Sequence, residues 1–135
     1  MTDQQQGNFV AGGTIETRRF VKMGIADNTV IQATANDDAI GVSRPISRRF
    51  DDASAANAGE PVGTFALTGQ VIDVECGGNV GVGDRVVSDD DGRAVSAETT
   101  GTTAQNVLGI AKQAGASGEV IQVISTKFVD RPAIA

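Results

Sequence analysis

Branching at Cβ dominates the apolar residues of this chain: 16 Val and 10 Ile stand against 2 Leu. Two heavy atoms on Cβ restrict rotamers against a helical turn but suit a pleated strand, so the ratio calls for sheet. The 17 Gly follow no collagen-like period and fall mostly between short apolar runs, where tight turns belong. Long helical stripes of apolar residues are missing. The expected class is mainly β: a small single-domain barrel or sandwich of short antiparallel strands, with at most one short helix. A length of 135 residues suits one such domain with a thin core.

Along the chain, Met1–Gly13 is polar apart from Phe9-Val10 and reads as a flexible N-terminal arm. The β-rich body spans 14–126, and Lys127–Ala135, which contains Pro132, reads as a tail that frays or lies on a neighbour. Strands are expected at Arg18–Met23, where Phe20 and Lys22 face away from Val21 and Met23, then at Thr29–Thr34 and Ala39–Ser43. Arg44–Ala58 contains Pro45 and reads as a surface loop or one helical turn. Glu60–Glu75 is an extended run bent at Gly69. Asp84–Ser96 is the clearest hairpin, with RVVS and RAVS flanking DDDG and Gly92 free to turn left-handed. A polar loop, Glu98–Gln105, leads to strands at Val107–Ala111 and Glu119–Thr126.

One pattern occurs twice. Ala39–Ser43 is followed by Ala58-Gly59-Glu60-Pro61-Val62, and Leu108–Ala111 by Ser117-Gly118-Glu119-Val120-Ile121. The unit is a strand with a central Gly, a loop, and a small-Gly-Glu turn before the next strand. Gly41 and Gly109 should therefore mark close backbone approach or a bulge. The two loops differ in length, which makes this an echo and not a repeat array.

Composition excludes several functions. There is no His, so neither a Ser-His-Asp nor a Cys-His nucleophile system can be built, and most zinc sites are out of reach. A net charge of −6, five Phe and no Trp or Tyr argue against nucleic-acid binding. No apolar run approaches the roughly 18 residues of a membrane span, and the start lacks the order of a secretory signal. The lone Cys76 has acidic neighbours, Asp73 and Glu75, and reads as a small buried residue. Asp89–Gly92 reads as an acidic hairpin tip, since an EF-hand loop needs ligands spaced over about twelve residues. Gly77–Gly83 lacks the Lys-Ser/Thr of a phosphate cradle, Lys112 reads as a surface lysine, and Asp37-Asp38 as a solvated turn. No cofactor, no metal and no enzymatic activity are expected.

The order IGVS, AGEPV, LTGQVIDV, VGVGDRVVSDDDGRAV, a Thr-rich loop, LGIAKQAGASGE and VIQVI resembles the small capsid decoration (cement) proteins of tailed bacteriophages. That family was long catalogued as a phage domain of unknown function. The resemblance covers 14–126 and rests on Gly and Val placement. It implies a compact β-rich homotrimer on the outer surface of the virion, seated at three-fold and quasi-three-fold positions of an expanded head, with the major capsid protein as partner. The stretch Arg48–Asp52 departs from the family pattern.

The capsid-contact candidates are Asn8, Phe9 and Val10, which an arm can add to a sheet edge, and Arg18, Arg19, Arg48, Arg49 and Phe50. The Arg pairs supply planar cationic groups for an acidic surface, or else are solvated strand ends. The alternative function is a β-module of another phage part, a tail or fibre attachment domain. Its glycan-binding form is disfavoured by the missing Trp and Tyr.

Overall fold

The computed structural model describes residues 6–44, 56–98 and 103–130. Ten strands carry the fold: β1 (Gln6–Ala11), β2 (Phe20–Met23), β3 (Thr29–Gln32), β4 (Gly41–Ser43), β5 (Pro61–Ala66), β6 (Val71–Glu75), β7 (Arg85–Ser88), β8 (Ala94–Ser96), β9 (Gln105–Ala111) and β10 (Val120–Asp130). No helix occurs among the described residues. The first five strands close into a barrel in the order β1-β3-β2-β4-β5, and the last five form a sheet in the order β6-β10-β9-β7-β8. Just past β6, Cys76 meets Ala94 of β8 in a single parallel bridge, which curls the second sheet toward closure.

The two halves repeat one another strand for strand. Phe9↔Val62 between β1 and β5 recurs as Val74↔Ile121 between β6 and β10. Val21↔Gly41 recurs as Val86↔Gly109, and Met23↔Val30 as Ser88↔Ala94. Ser43↔Thr64 recurs as Ala111↔Val123, and the isolated bridge Ile15↔Ala56 as Val80↔Gly115. The parallel β1–β3 pairing has its counterpart in the Cys76↔Ala94 bridge. The echo read from the sequence is thus the visible part of a duplication of the whole five-strand unit. Backbone register preserves it where side chains have diverged.

Turn chemistry is repeated too. Gly59, Gly83 and Gly118 have φ of 85°, 85° and 90°. In each turn the next residue is a carboxylate that reaches back. Glu60 accepts the Asn57 N–H at 2.7 Å, Asp84 the Gly81 N–H at 2.8 Å, and Glu119 the Ala116 N–H at 2.7 Å. The matching position before β2 holds Arg18, at φ 57° without the freedom of glycine. Gly41 and Gly109 meet the expectation of close approach. A Cβ on Gly41 would lie 2.4 Å from Thr64 Cγ2 and 2.5 Å from the Phe65 carbonyl oxygen. On Gly109 it would lie 2.3 Å from Val123 Cγ1.

Two segments differ from the sequence reading. From Gln6 onward the supposed arm is β1, paired with β3 on one side and β5 on the other. Phe9 explains this, because its ring packs against the barrel core of Ala11, Ile15, Val21, Val30, Ala56 and Val62. The supposed tail is strand as far as Asp130: β10 passes a bulge between Ser125 and Phe128 and goes on pairing with β9. Residues 45–55, read as a loop or helical turn, lie outside the described residues.

A second core fills the later half with Ile72, Val74, Val86, Leu108, Ile121 and Val123, and it also takes in Phe20, Ala33, Val42 and Leu67 from the first half. Phe20 and Val21 are therefore both fully buried, each facing a different core. We expect Gly41→Ala and Gly109→Ala to destabilise the fold by about 1–3 kcal/mol each, the usual range for overpacking. Gly118→Ala, strained in φ but with open space around its Cβ, should fall near the lower end of about 1–3 kcal/mol. Urea unfolding of the three variants checks the ranking.

Candidate functional site: the seam between the two halves

The polar chemistry of the molecule gathers where the halves meet. Arg19, at the entry to β2, donates from Nη2 to Glu75 Oε2 at 3.2 Å and from Nη1 to the Asp91 carbonyl at 3.0 Å. Glu75 also lies 3.9 Å from Arg93 Nη1, and Arg93 in turn lies 3.4 Å from Asp89 and 3.5 Å from Asp91. Apart from the exposed Asp91, these side chains are mostly covered, which lessens the solvent screening that weakens exposed pairs. The β7–β8 tip is therefore not merely solvated. Asp89 accepts the N–H groups of Asp91 and Arg93, each at 2.8 Å, and Gly92 O accepts the Phe20 N–H at 2.7 Å.

Asn36 sews the other flank. Its N–H donates to Ser88 O at 2.9 Å and its side-chain amide to Ala104 O at 2.8 Å. Asn106 returns two bonds of 2.8 Å, from its N–H to Asn36 Oδ1 and from its amide to Asn36 O. Asn36 holds φ at 55°, a geometry Asn tolerates better than most residues. Its neighbour Asp37 accepts the Thr34 N–H and hydroxyl at 2.8 and 2.7 Å and pairs with Lys22, while Lys127 bridges to Asp38 at 2.7 Å. Asp37 is thus half-buried and engaged, while Asp38 stays exposed at the turn, as the sequence suggested.

Residues of both halves also line a cleft of about 340 Å³, among them Arg18, Arg44, Gln70, Asp73 and Gln122 with Phe65 and Ile72 at its wall. Of the residues singled out in the sequence, the structure brings Arg18 and Arg19 to this seam. It sends Phe9 into the barrel and leaves Val10 partly exposed on β1. Asn8 lies in β1. Arg48, Arg49 and Phe50 lie outside the described residues. Sequence reasoning missed Asn36, Glu75 and Arg93. Their only local signal was polarity beside a turn, which solvated loops share.

No catalytic arrangement is assembled from these groups. Cys76 is fully buried, and burial, reinforced by Glu119 and Glu75, pushes its thiol up and away from the reactive thiolate. No grouping of three or more metal-ligating side chains occurs among the described residues. Two carboxylates are held below their ordinary range. For Asp84 the Gly81 N–H and the Ser96 hydroxyl outweigh burial. For Asp37 burial pulls upward, but the Lys22 ammonium and the two Thr34 donors prevail.

Comparison with solved structures finds a similar fold in the crystal structure of the head fiber gp8.5 N base in bacteriophage phi29. The TM-score is 0.67 at 16% identity, over 90% of this chain and 92% of that one. At this identity the likeness establishes the fold. No protein-family model matches the chain, and no curated protein does.

Two outcomes follow from the seam. Asn36→Ala removes two cross-seam side-chain bonds, so it should lower stability by about 2 kcal/mol at roughly 1 kcal/mol per bond, read by urea unfolding. Asp37 and Asp84 have folded pKa values below their unfolded ones. The stability they contribute is complete above about pH 4 and lost as pH falls through the folded values. Thermal midpoints should drop on acidification below about pH 4, and Asp84→Asn should flatten that drop.

Proposed function

We propose that this protein is a structural subunit of a tailed-phage head, a decoration protein that binds the outer capsid surface as a trimer and reinforces the shell. The observation that carries the reading is the likeness to the phi29 head fiber base, which runs over nearly the full length of both chains. The capsid-decoration resemblance of the strand and turn motifs points the same way. The physical character of the molecule suits the task. Two cores share one seam, cross-tied by Arg19, Glu75, Arg93 and Asn36, so the body resists deformation as one piece.

A shell under outward pressure from packaged DNA is weakest where capsomers meet. A multivalent clamp over such a seam turns several weak contacts into strong attachment, since linked contacts raise avidity by about 10²–10⁴-fold. The work is done by geometry and requires no turnover. Arg18 at the cleft is the cationic group we assign to the capsid contact, with Asn8 on β1 beside it in the assignment.

The phi29 neighbour favours a second reading, in which the chain is the base of a head-attached fiber. One experiment separates the two. Purified protein is added to expanded shells lacking it and imaged by electron cryomicroscopy, with the shells then heated. Decoration predicts density at three-fold and quasi-three-fold positions and a raised disruption temperature. Sparse density bearing an outward extension, with no gain in shell stability, supports the fiber base. Absence of any density on shells overturns both.

A further inference from the structure

The internal duplication shows which surface a second copy of this chain covers. In the first half, Phe20, Val42 and Phe65 are cross-strand partners and form a row over β2, β4 and β5. Phe20 and Val42 are 0% and 1% exposed although they point out of the barrel, because the second half lies on them. The same register places Arg85, Ile110 and Ile124 in the matching row over β7, β9 and β10, with Val71 of β6 next to Ile124. Among the described residues this row stays exposed at Val71, Ile124 and Arg85, with Ile110 half-buried. Ile124 is 42% and Val71 47% exposed, and the Arg85 guanidinium lies over the exposed Phe128 ring, 5.5 Å from its centre.

One element of the second half that packs on β2 also has a counterpart. The β7–β8 turn sits on β2: Ser88 is buried, Gly92 O accepts the Phe20 N–H, and a Cβ on Gly92 would lie 2.9 Å from Phe20 O. Its equivalent is the β2–β3 turn, 24–28, where Asn28 at φ 60° matches Gly92 at 75°. That turn is unusually apolar for a tip. Ile25 is fully exposed, and Met23, the match of the buried Ser88, is 47% exposed. Each half therefore has one row and one turn. Inside the chain the first row is buried under the second half, with the β7–β8 turn packed on the β2 backbone, whereas Val71 and Ile124 of the second row and Met23 and Ile25 of the first turn stay exposed.

We propose that chains associate head to tail, with the β2–β3 turn of one copy (Met23, Ile25) seated on the Val71–Ile124–Ile110–Arg85 row of the next. This repeats between copies the contact that the β7–β8 turn makes with β2 within one. Such an interface is heterologous, and it closes when the rotation per copy divides a full turn. Three copies make a ring of six like modules. The inference deepens the self-association part of the proposed function and is independent of its capsid part.

The test is sedimentation velocity on the wild-type chain, Ile25→Asp and Ile124→Lys, with thermal unfolding confirming that each variant folds. Both substitutions lie on exposed positions and should leave the midpoint unchanged while weakening association at least about tenfold. In a Cys76→Ser background, mixing Asn28→Cys with Arg85→Cys should yield a disulfide-linked dimer that neither variant gives alone. A wild-type oligomer indifferent to both surface substitutions overturns the proposed face. A wild-type chain monomeric at every concentration, and on shells, overturns self-association itself, whereas the shell-imaging experiment judges the capsid reading separately. Loss of shell binding without change of mass would reassign the row to the capsid and overturn the proposal.

Discussion

The burial of Phe20 on the outer side of a closed barrel is the contact from which the rest of the molecule follows. Outward positions of a small barrel ordinarily face water, where an aromatic ring gains nothing. Here β2 is apolar on both faces, Val21 into the barrel and Phe20 into the second core, so the barrel itself becomes a wall of that core. Fully burying a side chain of this kind stabilises by roughly 1.5–3 kcal/mol, and Phe20 has Val42 and Leu67 with it. The halves are consequently one folding body, and the polar stitches of Asn36 and the Arg19–Glu75–Arg93 cluster set the angle at which the apolar surfaces meet.

Duplication accounts for the economy of the design. Each five-strand unit repeats the same register, the same glycine at the crowded crossing of adjacent strands, and the same carboxylate folded back onto its turn. A unit of this size cannot bury both of its faces alone. Stacking one on the other solves half the problem and leaves an unsatisfied face at one end and an apolar turn at the other. The same arithmetic of faces underlies the proposed association of further copies.

These features suit the proposed load-bearing role on a phage head. On that reading stiffness comes from the shared core and the cross-tied seam, and multivalence from the proposed association of like modules. Neither calls on a nucleophile or a shifted base. The perturbed groups that are present, Asp37, Asp84 and Cys76, are accounted for by turn bonds, an ion pair and burial.

Fold class and turn positions were legible in the amino acids, because both depend on local sterics. Branched Cβ atoms select strand, Gly92 and Gly118 sit where φ must be positive, and Gly41 and Gly109 sit where no Cβ fits. The roles of Phe9, Arg19 and Asn36 were not legible, since each depends on a partner far away along the chain. A polar segment with one Phe reads as an arm until β5 is known to lie beside it. Asn36 reads as a turn residue until Asn106 arrives. The duplication itself was seen only as an echo, because strand register is conserved by backbone hydrogen bonds that almost any side chain permits. Local stereochemistry thus lay in the sequence from the start, whereas which faces meet, and which are left open, was decided by long-range packing that no short stretch of residues encodes.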